Sequence, residues 1–219
     1  MRRGTCRQLA TMRAGAIAAI RQQTQEHLAL TGMTREKVLA TVIRILDATA
    51  MRVGNKGSAS ENHTFGLTTL RNQHVEVAGA TLRFHFTGKS GIRHELEITD
   101  RRVARVVRQC HDLPGQKLFE YVDESGELRG VSSSDVNDYL RTVSGHSLTA
   151  KDFRTWAGTV ECAVALRDMG EFSSETEGKR NIVAAIKTAA QRLSPDEKAV
   201  LAIVQRYHFD LEGRRQAVA

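Results

Sequence analysis

The sequence predicts an α+β fold, mostly helical, with one small three-stranded antiparallel sheet. Three observations predict it. Between residues 66 and 100 the apolar period shortens to two: Val75-Glu76-Val77, Leu82-Arg83-Phe84-His85-Phe86 and His94-Glu95-Leu96-Glu97-Ile98 each alternate, and short glycine-bearing turns separate them. On both sides of that stretch the period is helical. Only two prolines and no low-complexity tract interrupt the 219 residues, so the chain is folded rather than mostly disordered.

The elements follow in order. Residues 1 to 30 are rich in Arg and Ala with a helical period, which Thr31-Gly32 breaks. Thr34 stands as N-cap before Arg35-Glu36-Lys37 and a stripe of Val38, Val42, Ile45, Leu46 and Thr49, predicting a core helix to about Met51. Gly54, Asn55 and Gly57 mark a turn. The strands follow, with turns at Ala78-Gly79-Ala80 and Gly88-Lys89-Ser90-Gly91. Val103, Val106, Val107 and Cys110 restore the helical period until Pro114-Gly115. Phe119 to Val122 reads as a short extended piece closed by Asp123-Glu124-Ser125-Gly126. Ser133 or Ser134 caps a helix to Val143, and Thr149 caps one from Lys151 to about Arg167. A polar loop from Gly170 to Gly178 leads to a helix from Lys179 to Leu193. Ser194-Pro195 then opens a last helix carrying Val200, Ile203, Val204 and Tyr207.

Composition bounds the function. Lys plus Arg is 32 against 25 Asp plus Glu, a net charge of +7. That suits a polyanionic partner without choosing between nucleic acid and an anionic membrane. No apolar run approaches the roughly 20 residues of a membrane span. No helix sets a strongly basic face opposite Trp or Phe, which disfavours a membrane surface. The weak, Arg-interrupted stretch after Met1-Arg2-Arg3 does not read as a signal peptide. Cys6, Cys110 and Cys162 are odd in number and far apart, which fits a reducing cytosol. No Cys-x-x-Cys occurs, the eight His are scattered, and no zinc site is expected. Gly88-Lys89-Ser90 looks like the end of a phosphate loop, but Arg83 stands where its first glycine belongs and the flanks read as strands.

Three further features carry chemistry. Arg52 follows a helix end in Met51-Arg52-Val53-Gly54-Asn55, where any cation suits the helix dipole. Lys89 sits at a hairpin tip, where solvated lysines are common. Lys151 and Arg154 lie one helical turn apart in Lys151-Asp152-Phe153-Arg154-Thr155-Trp156-Ala157-Gly158, beside the single Trp. Each alone has a bland reading as a solvated face. Their order is specific. Arg52 to Asn55, Thr64-Phe65-Gly66-Leu67-Thr68-Thr69-Leu70, Gly88 to Gly91, Ser133 to Leu140 and Lys151 to Thr159, followed by Asn181 to Ala185, resemble the type IB DNA topoisomerases of the small poxvirus and bacterial kind. The resemblance covers roughly residues 33 to 193.

It implies a topoisomerase IB/tyrosine-recombinase-like catalytic domain acting on double-stranded DNA. Such enzymes relax supercoils by cutting one strand through a 3′-phosphotyrosyl link, with no metal, ATP or other cofactor. Arg52 and Arg154 match the two family arginines, whose forked donors suit the non-bridging oxygens of a phosphorane. Lys89 matches the general-acid lysine that protonates the departing 5′-oxygen. Lys151 matches a position that supports the same proton transfer or contacts DNA phosphate. Residues 31 to 219 then form the catalytic domain. Residues 1 to 30 form a basic helix, the remnant of a linker to an N-terminal clamp domain that does not precede it here. A cytoplasmic monomer associated with the nucleoid is expected.

The resemblance thins at the nucleophile. The family carries its tyrosine in a run like Asn-Thr-Pro-Ala-Val-Cys-Arg-Lys-x-Tyr, and this chain continues with Ser194-Pro195-Asp196-Glu197-Lys198-Ala199-Val200 instead. Tyr121 and Tyr139 lie upstream of Arg154 at positions that suit structure. Tyr207 follows Arg154 at close to the family spacing, with Lys198 where the family holds a phosphate oxygen by His or Asn. Helical core spacing also accounts for Tyr207. An active topoisomerase using Tyr207 and a catalytically impaired DNA-binding remnant are therefore both open. A tyrosine recombinase is the third reading. Lys151-x-x-Arg154, where recombinases usually have His-x-x-Arg, and Gly66-Leu67-Thr68-Thr69-Leu70 favour the topoisomerase branch.

Overall fold

The computed structural model describes residues 3–193. The predicted Tyr207 and Lys198, and the helix opening at Ser194, lie outside the described residues. Two compact units divide the chain, residues 1–154 and residues 155–219.

The first unit is built around α2 (Arg35–Thr49). Thr34 caps it as expected, its hydroxyl accepting the Lys37 amide, and it is buried nearly all round from Lys37 to Leu46 rather than along one stripe. It is the central rod of the core, touched by α1 (Arg3–Leu28), α4 (Arg101–His111) and α5 (Ser133–Ser144). Such a helix needs apolar side chains on every side, which Val38-Leu39-Ala40 and Val42-Ile43 supply. Lys37, buried within it, donates from Nζ to the Leu30 carbonyl at 2.7 Å. α2 ends at Ala50, a left-handed residue (φ 50°) whose amide donates to the Leu46 carbonyl at 2.8 Å. The turn read at Gly54 to Gly57 is shorter than expected, because a one-and-a-half-turn helix, α3 (Lys56–Glu61), follows at once.

The meander is β1 (Val75–Ala78), β2 (Thr81–Thr87) and β3 (Arg93–Thr99), in that order and antiparallel. Its register pairs Val75 with Phe84 and Phe86 with His94. Leu82, Phe84 and Phe86 point to the core, and the alternate Arg83 and His85 point to solvent. α4 follows with Asp100 as N-cap, its carboxylate accepting the Arg102 and Val103 amides. That carboxylate also accepts from Arg44 at 3.1 Å. Backbone amides and Arg44 outweigh desolvation and hold Asp100 below the usual carboxylate range. The extended piece at Phe119 becomes β4 (Glu120–Val122), and it has a partner the sequence pattern did not show, β5 (Leu128–Gly130). β5 escapes notice because Leu128-Arg129-Gly130 has no alternation long enough to read.

Two helix starts differ from expectation. Ser132, not Ser133 or Ser134, caps α5 in a reciprocal box with Asp135. Asp135 also takes Arg35 of α2 at 2.6 Å, and that shared carboxylate selects the earlier serine. α6 (Ala150–Asp168), by contrast, follows Thr149 as expected, and the Thr149 amide and hydroxyl both donate to the Asp152 carboxylate. In the second unit, α7 (Glu175–Leu193) begins four residues before Lys179. Gly178 is therefore helical. A β-carbon there would come within 3.1 Å of the exposed Phe172 ring. Gly158 likewise leaves room for Leu193.

Acid should loosen the first unit. His74 is buried and its Nδ1 accepts the Arg71 amide at 3.0 Å, so protonation destroys a hydrogen bond as well as burying a charge. Burial and Arg71 lower its pKa from 6.5, and burial lowers that of His111. A folded-state value below the unfolded one gives stability that is complete above about pH 6.5 and lost as pH falls through the folded value. The melting temperature of the unaltered chain should drop between about pH 7 and about pH 5, and His74→Gln should flatten that slope.

Candidate active site

Arg52 lies three residues past the end of α2 in an irregular segment, so its position needs an external frame. The segment Phe65 to Thr68 supplies it. The Leu67 amide donates to the Arg52 carbonyl at 2.8 Å, the Thr68 amide to the Val53 carbonyl at 2.6 Å, and the Thr68 hydroxyl to the same oxygen at 2.9 Å. Two glycines permit this approach. A β-carbon on Gly66 would sit 2.5 Å from both N and Cα of Gly54 and 2.7 Å from the Arg52 carbonyl. Gly54 itself adopts φ +100°, which side chains rarely tolerate. The same segment reaches the sheet: the Phe65 amide donates to the Thr87 carbonyl at the end of β2 at 2.8 Å. Phe65 thus ties the Arg52 turn to the hairpin whose tip carries Lys89. Its ring packs against His74, tilted by 56° with centroids 4.3 Å apart, and lies under the Arg71 guanidinium at 5.7 Å.

Arg154 arrives from α6. Its guanidinium donates to the carbonyl of Ala50, the C-cap of α2 and two residues before Arg52. A helix C-terminus carries partial negative charge, so the end of α2 is a natural seat for a cation. Phe153, buried beside it, anchors this turn of α6.

Lys89 is exposed at the tip of the β2–β3 hairpin. A short 3₁₀ turn from Lys89 to Gly91 closes the tip, with Ser90 and Gly91 in the left-handed region. The Gly88 amide donates to the Ile92 carbonyl at 2.7 Å. Lys151, exposed on the first turn of α6, precedes Arg154 by one turn of helix. Tyr139 is buried, and its hydroxyl is 2.8 Å from Nδ1 of His27, which removes it as a nucleophile. Burial pushes its phenol well above the usual value. Burial likewise holds Cys110 as an inert thiol, pushed up to about 12.

The site contains one residue that motif reading missed. His94 pairs across the hairpin with Phe86, and the two rings stack at 4.9 Å. Its Nε2 edge lies against Gly88. Burial, Arg154 and Arg52, in that order, lower its pKa from 6.5, so it is neutral at neutral pH. Arg52, Arg154 and His94 therefore share one locus. The signal was present in the alternation of β3, where His94 falls on the same face as Leu96 and Ile98.

A groove of about 490 Å³ adjoins the Arg52 turn at Gly54 and Asn55. Phe65, Arg71, Lys117 and Ser132 to Ser134 line it further along. It thus sets two cations and the capped N-terminus of the twelve-residue α5 beside the turn.

A family model described as eukaryotic DNA topoisomerase I, catalytic core, matches residues 7–206. The chain belongs to that family. Among its relatives, the DNA topoisomerase 1B of Acanthamoeba polyphaga mimivirus is 29% identical over 168 residues, covering 73% of this chain and 49% of that protein. DNA topoisomerase 1 of Schizosaccharomyces pombe is 28% identical over 142 residues, covering 63% of this chain and 16% of that one. The chain thus spans about half, or less, of the length of these relatives. A solved structure of the XerH site-specific recombinase bound to its difH substrate superimposes with a TM-score of 0.44 and 10% identity, over 84% of this chain and 52% of that one.

The close approach of Gly66 to Gly54 is testable. Gly66→Ala keeps an ordinary backbone conformation (φ −139°) but forces a β-carbon into backbone, which should cost about 3 kcal/mol or more in chemical denaturation. Gly79→Ala, left-handed but with open space around it, should cost only about 1–2 kcal/mol.

Proposed function

We propose that this chain relaxes supercoiled duplex DNA as a type IB topoisomerase. The observation that carries the reading is the seating of two arginines at one helix end. Arg154 rests on the Ala50 carbonyl, Arg52 follows two residues later, and the Lys89 hairpin is tied to the same segment through Phe65. Forked arginine donors suit the non-bridging oxygens of a phosphodiester.

The chemistry follows from that pocket. A tyrosyl oxygen attacks the scissile phosphorus and its phenolic proton passes to solvent. The bond from phosphorus to the 5′-oxygen breaks, and Lys89 gives its proton to that oxygen. The products are a 3′-phosphotyrosyl bond and a free 5′-hydroxyl. Arg52 and Arg154 neutralise the charge that builds on the non-bridging oxygens of the phosphorane. The duplex swivels, the 5′-hydroxyl attacks the phosphotyrosyl phosphorus and its proton returns to Lys89; the bond from phosphorus to the tyrosyl oxygen breaks, and the released phenolate takes a proton from solvent. The covalent link conserves the phosphodiester energy, so ATP is not consumed. No metal is required, since the arginines supply the positive charge. Tyr207 is the proposed nucleophile and Lys198 the proposed additional phosphate contact. Lys151 contacts neighbouring phosphate. The groove along Arg71 and Lys117 carries the duplex backbone. The protein acts as a monomer on nucleoid DNA in the cytoplasm.

One observation favours a second reading, a DNA-binding remnant without turnover. The tyrosine run of the family is not recognisable in the sequence, and Tyr139 is buried and hydrogen-bonded.

Plasmid relaxation in EDTA without ATP, with detergent trapping of the adduct, separates the two. Relaxation with a covalent adduct supports the enzyme, and Tyr207→Phe should then abolish both. DNA binding with neither supports the remnant. Arg52→Ala and Arg154→Ala should each slow single-turnover cleavage by at least about a hundredfold. Lys117→Ala should instead weaken DNA binding across sequences and lower the salt slope by about one.

A further inference from the structure

We propose that His94 is the positioning residue of Lys89, a ring wedged between Phe86 and Gly88 that fixes the hairpin tip relative to the arginine pair. This inference rests on the reading above, in which Lys89 protonates the leaving oxygen.

The argument starts from the hairpin. A lysine on a tight tip has four rotatable side-chain bonds, and a mobile tip would spread its ammonium over many positions. Proton transfer tolerates little such spread, because a displacement of about 1 Å can cost on the order of a hundredfold in rate. The tip is held on its backbone side by the Gly88 amide on the Ile92 carbonyl. Its outer side is closed by Ser90 and Gly91 in left-handed conformations and by the Gly91 amide on the Gly88 carbonyl at 3.2 Å, which are turn geometry rather than packing. The packing comes from His94. Its ring is nearly parallel to Phe86, 15° between planes, so it cannot tilt without losing the stack. Its far edge meets Gly88, where a β-carbon would lie 2.5 Å from Nε2 and 2.6 Å from Cδ2. Gly88 is at φ −93°, a conformation open to any residue, so contact with the His94 ring is what its lack of a side chain serves. Gly88 is covalently the residue before Lys89. The ring therefore sets where the lysine begins.

The choice of histidine also fits. Arg154 and Arg52 both bear on the ring and, with burial, keep it uncharged. A permanent cation at the same place would repel the arginines and compete for the phosphate. A neutral, flat ring fills the space without doing either.

The test uses leaving-group chemistry. A DNA duplex with a sulfur in place of the bridging 5′-oxygen releases a thiolate, which needs no protonation because thiols are far more acidic than alcohols. A defect confined to the lysine disappears on that substrate, and a defect in binding, folding or charge stabilisation persists. Single-turnover cleavage of oxygen and sulfur duplexes should be measured for the full chain and for Lys89→Ala, His94→Ala, His94→Phe and Gly88→Ala, with the melting temperature of each. His94→Ala and Gly88→Ala should slow the oxygen substrate on the order of tenfold to a hundredfold and cleave the sulfur substrate within about threefold of the unaltered chain, as Lys89→Ala does. His94→Phe keeps the stack and the wedge and should recover most of the oxygen rate. A His94→Ala defect equal on both substrates would refute the role while leaving the proposed function intact. So would full oxygen-substrate activity of His94→Ala. Failure of the unaltered chain to cleave either substrate would refute the proposed function, and this role with it.

Discussion

The amide of Leu67 bonds to the carbonyl of Arg52, and Gly66 lies so close to Gly54 that no β-carbon fits between them. The candidate site depends on this contact. Arg52 stands on no helix or strand, and an irregular segment holds a side chain in place only if its own backbone is held. The clamp provides two amide bonds and a hydroxyl bond, and through Phe65 it passes the same constraint to the end of β2. An arginine from one part of the fold and a lysine-bearing hairpin from another are thereby registered against a common four-residue strap.

Electrostatics shape the rest of the site. The negative end of α2 seats a cation, and the Ala50 carbonyl there takes the Arg154 guanidinium. Ala50 can serve because the helix ends there in a left-handed turn. Burial first, then Arg154 and Arg52, lower the pKa of His94 and keep it neutral. Burial has the same effect at His74, which accepts a backbone amide and so works only unprotonated. In both places neutral imidazole is used as a flat, polar packing element.

The central helix links this site to the groove beside it. Arg35 at the start of α2 binds Asp135, and Asp135 closes the capping box of α5 with Ser132. The serines at that helix start line the groove that begins at Gly54 and Asn55, beyond the other end of α2. One buried rod thus fixes the site at its C-terminus and the start of α5 at its N-terminus.

The sequence by itself determined the periods, the caps and the motif order. The meander strands were legible because one face is buried and the other wet, so alternation is written into Leu82 to Phe86. Arg52, Lys89 and Arg154 stood out only through the order of the motifs that carry them, since each alone reads as a solvated cation. Tertiary structure decided what local pattern cannot carry. β5 has three residues and exists because β4 lies beside it. Ser132 won over its neighbours because Asp135 is also claimed by Arg35, a hundred residues away. Gly66 looks like loop punctuation, yet it is small because the Gly54 backbone presses on it. His94 looked like a strand residue until the fold set it between Gly88 and two distant arginines. Local signals record what a residue does to its own backbone. Contacts between segments far apart in sequence leave a mark only when the chain closes on itself.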